Sequence, residues 1–293
     1  MRALIFGRSV ADNNQEYVQE VVDTFSKAGF ELFFFKPFFD QLPKLKFAAE
    51  GHLVDERILK KNEFDFVIAL GGDGTILNAI TLVQDSEIPM LGINLGRLGF
   101  LAGFEKKEIS LAAFQIKSGA YILESRTMLQ LDSNLPLFGN SKFALNDFTL
   151  LKTDHSSMIV IHTYIDGSFL NSYWADGLIV ATPTGSTGYN LSCGGPIIFP
   201  GSGNFVITPV APHNLNVRPL VLADKSVISF EVEGRSENFL CTLDSRFETV
   251  TPAHKISIRK CDFNVNLVKP LGMNFLKTLR GKFAWGSDTR NLY

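Results

Sequence analysis

Three glycines flank a single carboxylate in Gly71-Gly72-Asp73-Gly74-Thr75. The stretch follows an apolar run, Phe66-Val67-Ile68-Ala69-Leu70, that reads as a buried strand. It precedes Ile76-Leu77-Asn78-Ala79-Ile80, whose apolar positions suit a helix. Glycines at a strand-to-helix turn let backbone amides approach a ligand closely. The helix start adds unpaired N–H groups and a partial positive charge, which suit phosphate. Gly71, Gly72, Gly74 and Thr75 are therefore candidate phosphate-binding positions. Asp73 puts a carboxylate among these anion-seeking amides, which is unfavourable unless a metal, a ligand hydroxyl or a mobile proton compensates it. The plainer reading is a tight turn with a helix-capping Asp.

Four further segments carry chemistry. Gly92-Ile93-Asn94-Leu95-Gly96-Arg97-Leu98-Gly99-Phe100-Leu101 suggests a glycine-rich loop hugging a ligand, with Phe100 as a stacking face. Asn146-Asp147, flanked by Phe143, Leu145, Phe148 and Leu150, sets an amide beside a carboxylate, a pair able to grip sugar hydroxyls. The run from Asp176-Gly177 through Thr182-Pro183-Thr184-Gly185-Ser186-Thr187-Gly188-Tyr189-Asn190-Leu191-Ser192 to Gly194-Gly195-Pro196 crowds hydroxyls and amides into a short loop. Such a loop offers many neutral donors and acceptors to a phosphate-bearing ligand, and Tyr189 offers a ring to a base. Pro209 to Leu220 carries three prolines, His213 and Arg218. Arg218 reads as an anion contact or a hydrogen-bonding anchor, and a lone His is more often structural. There is no GxxxxGK[ST] loop, GxGxxG, Gly-x-Ser-x-Gly or HExxH.

The elements that would position these residues change character along the chain. Residues 3–6 read as a strand, and Asn14 to Ala28 as a helix with Tyr17, Val18, Val21, Val22 and Phe25 on one face. Strands follow at 31–35, 64–70 and 89–94, with a short helix expected over Leu53 to Lys60 and another from the glycine turn to about Asp85. Strands alternating with helices predict a parallel α/β sheet, whose ligands sit outside the carboxyl ends of the strands. Beyond about residue 125 helical periodicity fades. Asp166-Gly167 between two strand-like runs predicts a hairpin. Further strands are expected at 178–182, 205–210, 226–233, 239–243, 255–260 and 263–268, and a helix at Asn274 to Phe283. The expected division is an α/β domain over 1–125, with 271–293 packing back on it, and a β-rich domain over 126–270.

Composition narrows the class. The 293 residues are 45% hydrophobic and 20% charged, ordinary for a globular protein. A net charge of −2 offers no broad basic surface for nucleic acid. Three cysteines without metal-ligand spacing suggest a reducing compartment and no structural zinc, and no metal-ligating residues are assigned. No apolar run approaches the roughly 20 residues of a membrane span, so a cytoplasmic protein is expected.

Taken in order, these segments resemble the NAD kinases, enzymes that phosphorylate NAD to NADP. The resemblance rests on Gly71 to Thr75, Gly92 to Leu101, Arg126-Thr127-Met128-Leu129, Ala144 to Asp147, Ala175 to Pro196, Pro212 to Leu215 with Arg218-Pro219-Leu220, and Leu279 to Trp285. It implies an N-terminal α/β domain with a parallel sheet, a C-terminal mostly-β domain, and an active site between them. It also implies transfer of the γ-phosphoryl group of ATP to the adenosine ribose 2′-hydroxyl of NAD, with Mg²⁺ held mainly through ATP phosphates.

By the same resemblance Asp73, beside Gly74, is the catalytic proton acceptor, and Asn146 and Asp147 bind NAD, although Glu is usual at the second position. Asp176, Thr184, Thr187, Gly188, Tyr189, Asn190, Leu191, Ser192 and Ala211 join them as NAD contacts. Gly188 stands where Ala is usual. Trp174 sits where many members carry a basic or polar residue. Arg246 follows Asp244-Ser245, where Asp-Gly and a Gln or His are common; both are kept as NAD contacts. A homo-oligomer, tetramer or dimer, is implied too. Two rivals stand beside this reading. A diacylglycerol-type lipid kinase shares Gly71 to Thr75 but calls for a membrane-docking surface. A non-catalytic dinucleotide sensor needs no carboxylate at 73.

Overall fold

The computed structural model describes residues 1–9, 14–96, 99–153 and 157–284. Arg97, Leu98 and Trp285, which belong to motifs read above, lie outside the described residues. The chain divides into two compact units, one of residues 1–125 with the segment from Val265 onward, the other Arg126–Asn264.

The first unit is α/β. Its sheet runs, in spatial order, from the end of strand Ile256–Pro270 through Met90–Asn94, Phe66–Leu70, Arg2–Phe6 and Glu31–Phe35 to Leu53–Val54, every pairing parallel. Phe66–Leu70 and Met90–Asn94 are buried at every residue, which is why they read as unbroken apolar runs. Helix Gln15–Lys27 buries Val18, Val21, Val22 and Phe25 as expected, while Tyr17 is only half-buried and takes the Lys106 ammonium over its ring at 4.4 Å.

Two expectations fail here. Leu53 to Lys60 is not a helix: Leu53 and Val54 pair with Phe34 and Phe35 at the sheet edge, and Leu59 N–H donates to the Leu82 carbonyl. Eight residues are too few for a helix to hold against such outside partners. A helix at Ile109–Ser118 is present where none was read. The expected helix near the end is present at Phe275–Phe283, and both of those phenylalanine rings meet Phe100.

The second unit is mostly β. One sheet orders Leu220–Ala223, Asn204–Val210, Gly177–Ala181, Asp147–Lys152, Phe239–Leu243 and Arg246–Val250, all antiparallel. A second orders Ser168–Ala175, Ile159–Ile165, Ile228–Glu233 and the start of Ile256–Pro270, also antiparallel. Their facing side chains form one core, with Phe148 and Phe230 stacked at 5.3 Å. The other face of the first sheet buries Ile179, Ala181 and Val206 against Ile198. The Asp166-Gly167 hairpin forms with both turn residues at positive φ, the mirror-image turn that suits twisted strands. The strands expected at 255–260 and 263–268 are one continuous strand. Among the described residues no helix is long and apolar enough to cross a membrane.

Candidate functional site

In the first unit the chemistry gathers at the carboxyl end of strand Phe66–Leu70. Helix Asp73–Val83 starts directly after Gly72, so Asp73 sits in its first turn. Gly71 has φ +148 and a Cβ there would lie 2.2 Å from Thr75 Oγ1, so only glycine makes this turn. A Cβ at Gly72 or Gly74 would meet nothing within 4 Å. Those two positions leave open room for a ligand at the helix start, as phosphate binding requires.

Asp73 is half-buried and held by its own neighbours. Its Oδ2 accepts from Phe100 N–H at 2.7 Å and its Oδ1 from Leu101 N–H at 3.0 Å. Each oxygen keeps a second lone pair for a ligand. A Cβ at Gly99 would lie 1.8 Å from Asp73 Oδ1, so the loop approaches the carboxylate as closely as glycine allows. The carbonyls of the same two residues, Phe100 and Leu101, accept from the buried Lys269 ammonium at 3.2 and 2.7 Å. Lys269 was missed in the sequence; a lone lysine 196 positions from Asp73 carries no local signal. The expected stacking face at Phe100 is half-buried, and its ring packs 5.9 Å from Phe283 and 6.5 Å from Phe275.

In the second unit the Asn146-Asp147 pair meets the loop that begins at Thr182. A Cβ at Gly185 would lie 2.1 Å from the Asn146 carbonyl oxygen, so the two segments touch backbone to backbone. Thr182 N–H donates to that same carbonyl, and Thr182 Oγ1 to the Leu145 carbonyl. Much of the loop's polarity serves the loop itself. Ser186 Oγ joins Pro183 and Ile198, and Thr184 Oγ1 accepts from Arg126. The buried Asn190 side chain donates to the Ser186 and Pro196 carbonyls and accepts from Thr208 Oγ1 at 2.6 Å. Both Asn190 amide hydrogens are therefore taken within the protein. Thr187, Gly188, Leu191 and Ser192 are partly or fully exposed, and Tyr189 is 40% exposed.

Other expected contacts have partners of their own. Asp176 pairs with Lys152 at 2.7 Å. Trp174 is 53% exposed and its ring lies 5.2 Å from that of His213, in a cleft of about 550 Å³. Ala211, next along from that cleft, has φ +44, a left-handed conformation of the kind that clusters at ligand sites. Arg218 donates to the Leu215 and Val217 carbonyls, the anchoring alternative of the two. Arg246 donates to the carbonyls of Ser141 and Phe143.

Asp147 is the electrostatic oddity. Burial, and then the like charge of Asp244, push its carboxyl up to about 7. Burial also raises Asp244, but three backbone N–H groups favour its charged form, so Asp147 is the member that keeps the proton. In an unfolded chain this carboxyl returns to about 4. The folded state then binds the proton more tightly, so the stability this gives is full below about pH 4 and is lost as pH rises through about 7. Asp147→Asn is expected to flatten the fall in melting temperature across that window. Parallel wild-type and variant profiles would refute the assignment.

Residues 4–121 match the ATP-NAD kinase N-terminal domain and residues 145–270 the ATP-NAD kinase C-terminal domain. The NAD kinase of Cytophaga hutchinsonii is 47% identical over 290 residues, 98% of this chain and 99% of that one. The NAD kinase of Flavobacterium johnsoniae is 40% identical, covering 99% of this chain and 100% of its own. Yeast NADH kinase complexed with NADH superposes with a TM-score of 0.85 at 25% identity, over 98% of this chain and 89% of that one. An NAD kinase from Archaeoglobus fulgidus in complex with ATP shares the fold, with a TM-score of 0.74 at 24% identity over 97% of this chain and 98% of that one. With both domain matches and relatives alike along nearly their whole length, the chain belongs to the NAD kinase family.

Proposed function

We propose that this chain transfers the γ-phosphoryl group of ATP to the 2′-hydroxyl of the adenosine ribose of NAD, giving NADP. The observation that carries this reading is Asp73: one carboxylate in the first turn of a helix, flanked by open glycines and aimed by two backbone amides. Phosphoryl transfer depends on positioning and charge stabilisation more than on covalent chemistry. Asp73 orients the hydroxyl and accepts its proton late in the transfer. The amides about Gly72 and Gly74 hold donor phosphates. A divalent cation would be held mainly through the donor phosphates and water, with Asp73 nearby. When bound, it neutralises charge on the transferred group.

The second unit supplies the dinucleotide grip. Asn146 and Asp147 take ribose hydroxyls, the Thr184 to Ser192 loop supplies backbone and hydroxyl contacts, and Tyr189 offers its ring. Asp176, Trp174 and Ala211 complete the set. Incubation with NAD, ATP and Mg²⁺ tests the reaction; binding of NAD without NADP formation would favour a sensor. Asp147→Ala is expected to weaken NAD binding about ten- to a hundredfold above about pH 7, since a hydrogen bond to a charged group is worth about 1.5–3 kcal/mol, and Asn146→Ala up to about tenfold, the worth of a neutral one; both are expected to leave ATP binding alone. Calorimetry showing unchanged NAD affinity would remove them from the site. We also propose a homo-oligomer, dimer or tetramer. Exposed sheet edges support it, such as Ser168–Ala175 with Phe169 and Trp174 bare. Light scattering on a fully active micromolar monomer would refute it.

A further inference from the structure

The turn Asp244-Ser245-Arg246 joins strands Phe239–Leu243 and Arg246–Val250. It lies about a hundred positions from Asn146, yet it grips that segment from both hydrogen-bonding sides. The Asp244 carboxylate accepts from the backbone N–H groups of Leu145 at 3.0 Å, Asn146 at 2.7 Å and Asp147 at 3.3 Å. The Asp244 N–H donates back to the Asp147 carbonyl at 2.9 Å. The Arg246 guanidinium donates to the carbonyls of Ser141 and Phe143, and its carbon stands 5.4 Å from the Phe143 ring centre. Donors at 145–147 and acceptors at 141 and 143 are thus met by one turn. Asp244 itself has φ +54, the left-handed conformation that aspartate tolerates in a tight hairpin turn.

We propose that Asp244 and Arg246 are positioning residues for NAD: without touching the dinucleotide, they fix where Asn146 and Asp147 present their side chains. This rests on the reading of Asn146 and Asp147 as the ribose-binding pair. An acidic residue is needed at 244 because each of its oxygens must accept from N–H. The amide of an Asn at that place would turn an NH₂ group towards at least one of those donors. An Arg suits 246 because its planar fork reaches two carbonyls at once, and a lysine cannot reproduce that geometry.

The same arrangement sets the electrostatics. Asp147 faces Asp244 from the turn, and Tyr189 and Cys193 from the short helical stretch after Gly188. Asp176 faces Tyr189 in turn. The nearby cation, Arg246, acts on Asp244. Asp147 therefore meets a like charge with no ion-pair partner of its own among the described residues, and its carboxyl lies near 7. An ionised carboxylate accepts ribose hydroxyls more strongly than a protonated one. NAD affinity is accordingly expected to rise with pH through about 7.

The test is calorimetry of NAD and of ATP on the full chain from about pH 6 to about pH 9, a window that brackets the shifted carboxyl. Asp244→Asn and Arg246→Lys are compared with wild type, and Asn146→Ala is run beside them. Asp244→Asn is expected to weaken NAD binding about tenfold or more, to leave ATP binding within about twofold, and to move the inflection to lower pH, because it removes the like charge as well as the clamp. Arg246→Lys keeps its charge. It is expected to weaken NAD binding and leave the inflection in place. Amide exchange at Asn146 and Asp147 is expected to quicken in both variants. A folded Asp244→Asn protein with wild-type NAD affinity and an unmoved inflection overturns the proposal. Should that variant not fold, a folded Arg246→Lys protein with unchanged NAD affinity and unchanged exchange overturns it equally. Loss of affinity in Asp244→Asn with none in Asn146→Ala would instead sink the ribose-binding reading, and the positioning role with it.

Discussion

Asp73→Asn is expected to lower kcat at saturating substrates about 10²–10⁴-fold, the usual worth of a positioned general base. The substitution is nearly isosteric but removes the charge and one acceptor. Both Asp73 oxygens receive backbone N–H groups, from Phe100 and Leu101. An Asn amide must therefore turn its NH₂ towards one of those donors, and the 99–101 loop has to shift. Some loss of melting temperature should accompany the loss of turnover, while NAD binding to the second unit's residues is retained. The measurement is NADP formed per enzyme at saturating NAD and ATP, with NAD affinity by calorimetry. Near wild-type turnover would exclude Asp73 as proton acceptor. A change confined to KM would show that it contributes uniform binding instead.

Gly99→Ala is expected to be nearly as damaging, although position 99 carries no functional group. A Cβ there would lie 1.8 Å from Oδ1 and 2.2 Å from Cγ of Asp73, so either the carboxylate or the loop must move. Displacing a reacting group by about 1 Å can cost about 10²-fold in rate. The expected result is therefore a fall in kcat of about that size with NAD affinity preserved. A Gly99→Ala enzyme with unaltered kcat would mean that the observed contact does not set the carboxylate's working position.

Local chemistry explains what could be read in advance. The Gly71 to Thr75 turn announced itself because glycines between a buried strand and a helix have few other uses. Asp166-Gly167 did so because its mirror-image turn has a narrow residue preference. The two-domain α/β plus β architecture followed from the change in periodicity near residue 125. What stayed hidden depends on sequence-distant partners. Leu53 to Lys60 had helical spacing, but a sheet edge captured its first residues. Strand Arg246–Val250 alternates only weakly and was passed over. Lys269 and Asp244 act through the backbone of loops 168 and 98 positions away, and no spacing rule reports a contact of that span. Arg246 and Asn190 were legible as polar residues of motif-bearing segments. Their side chains turned out to be occupied by carbonyls of the protein itself.

The internal bonding of the 182–198 loop bears on how quickly a dinucleotide is captured. Thr182, Ser186 and Asn190 tie the loop to strand ends and to its own backbone. The entropy of ordering it is spent when the chain folds, so encounter with NAD need not wait for a closing step. Association should then run as one kinetic phase, linear in NAD concentration and without a plateau, and the residence time of NAD should carry most of the affinity differences among variants of this loop.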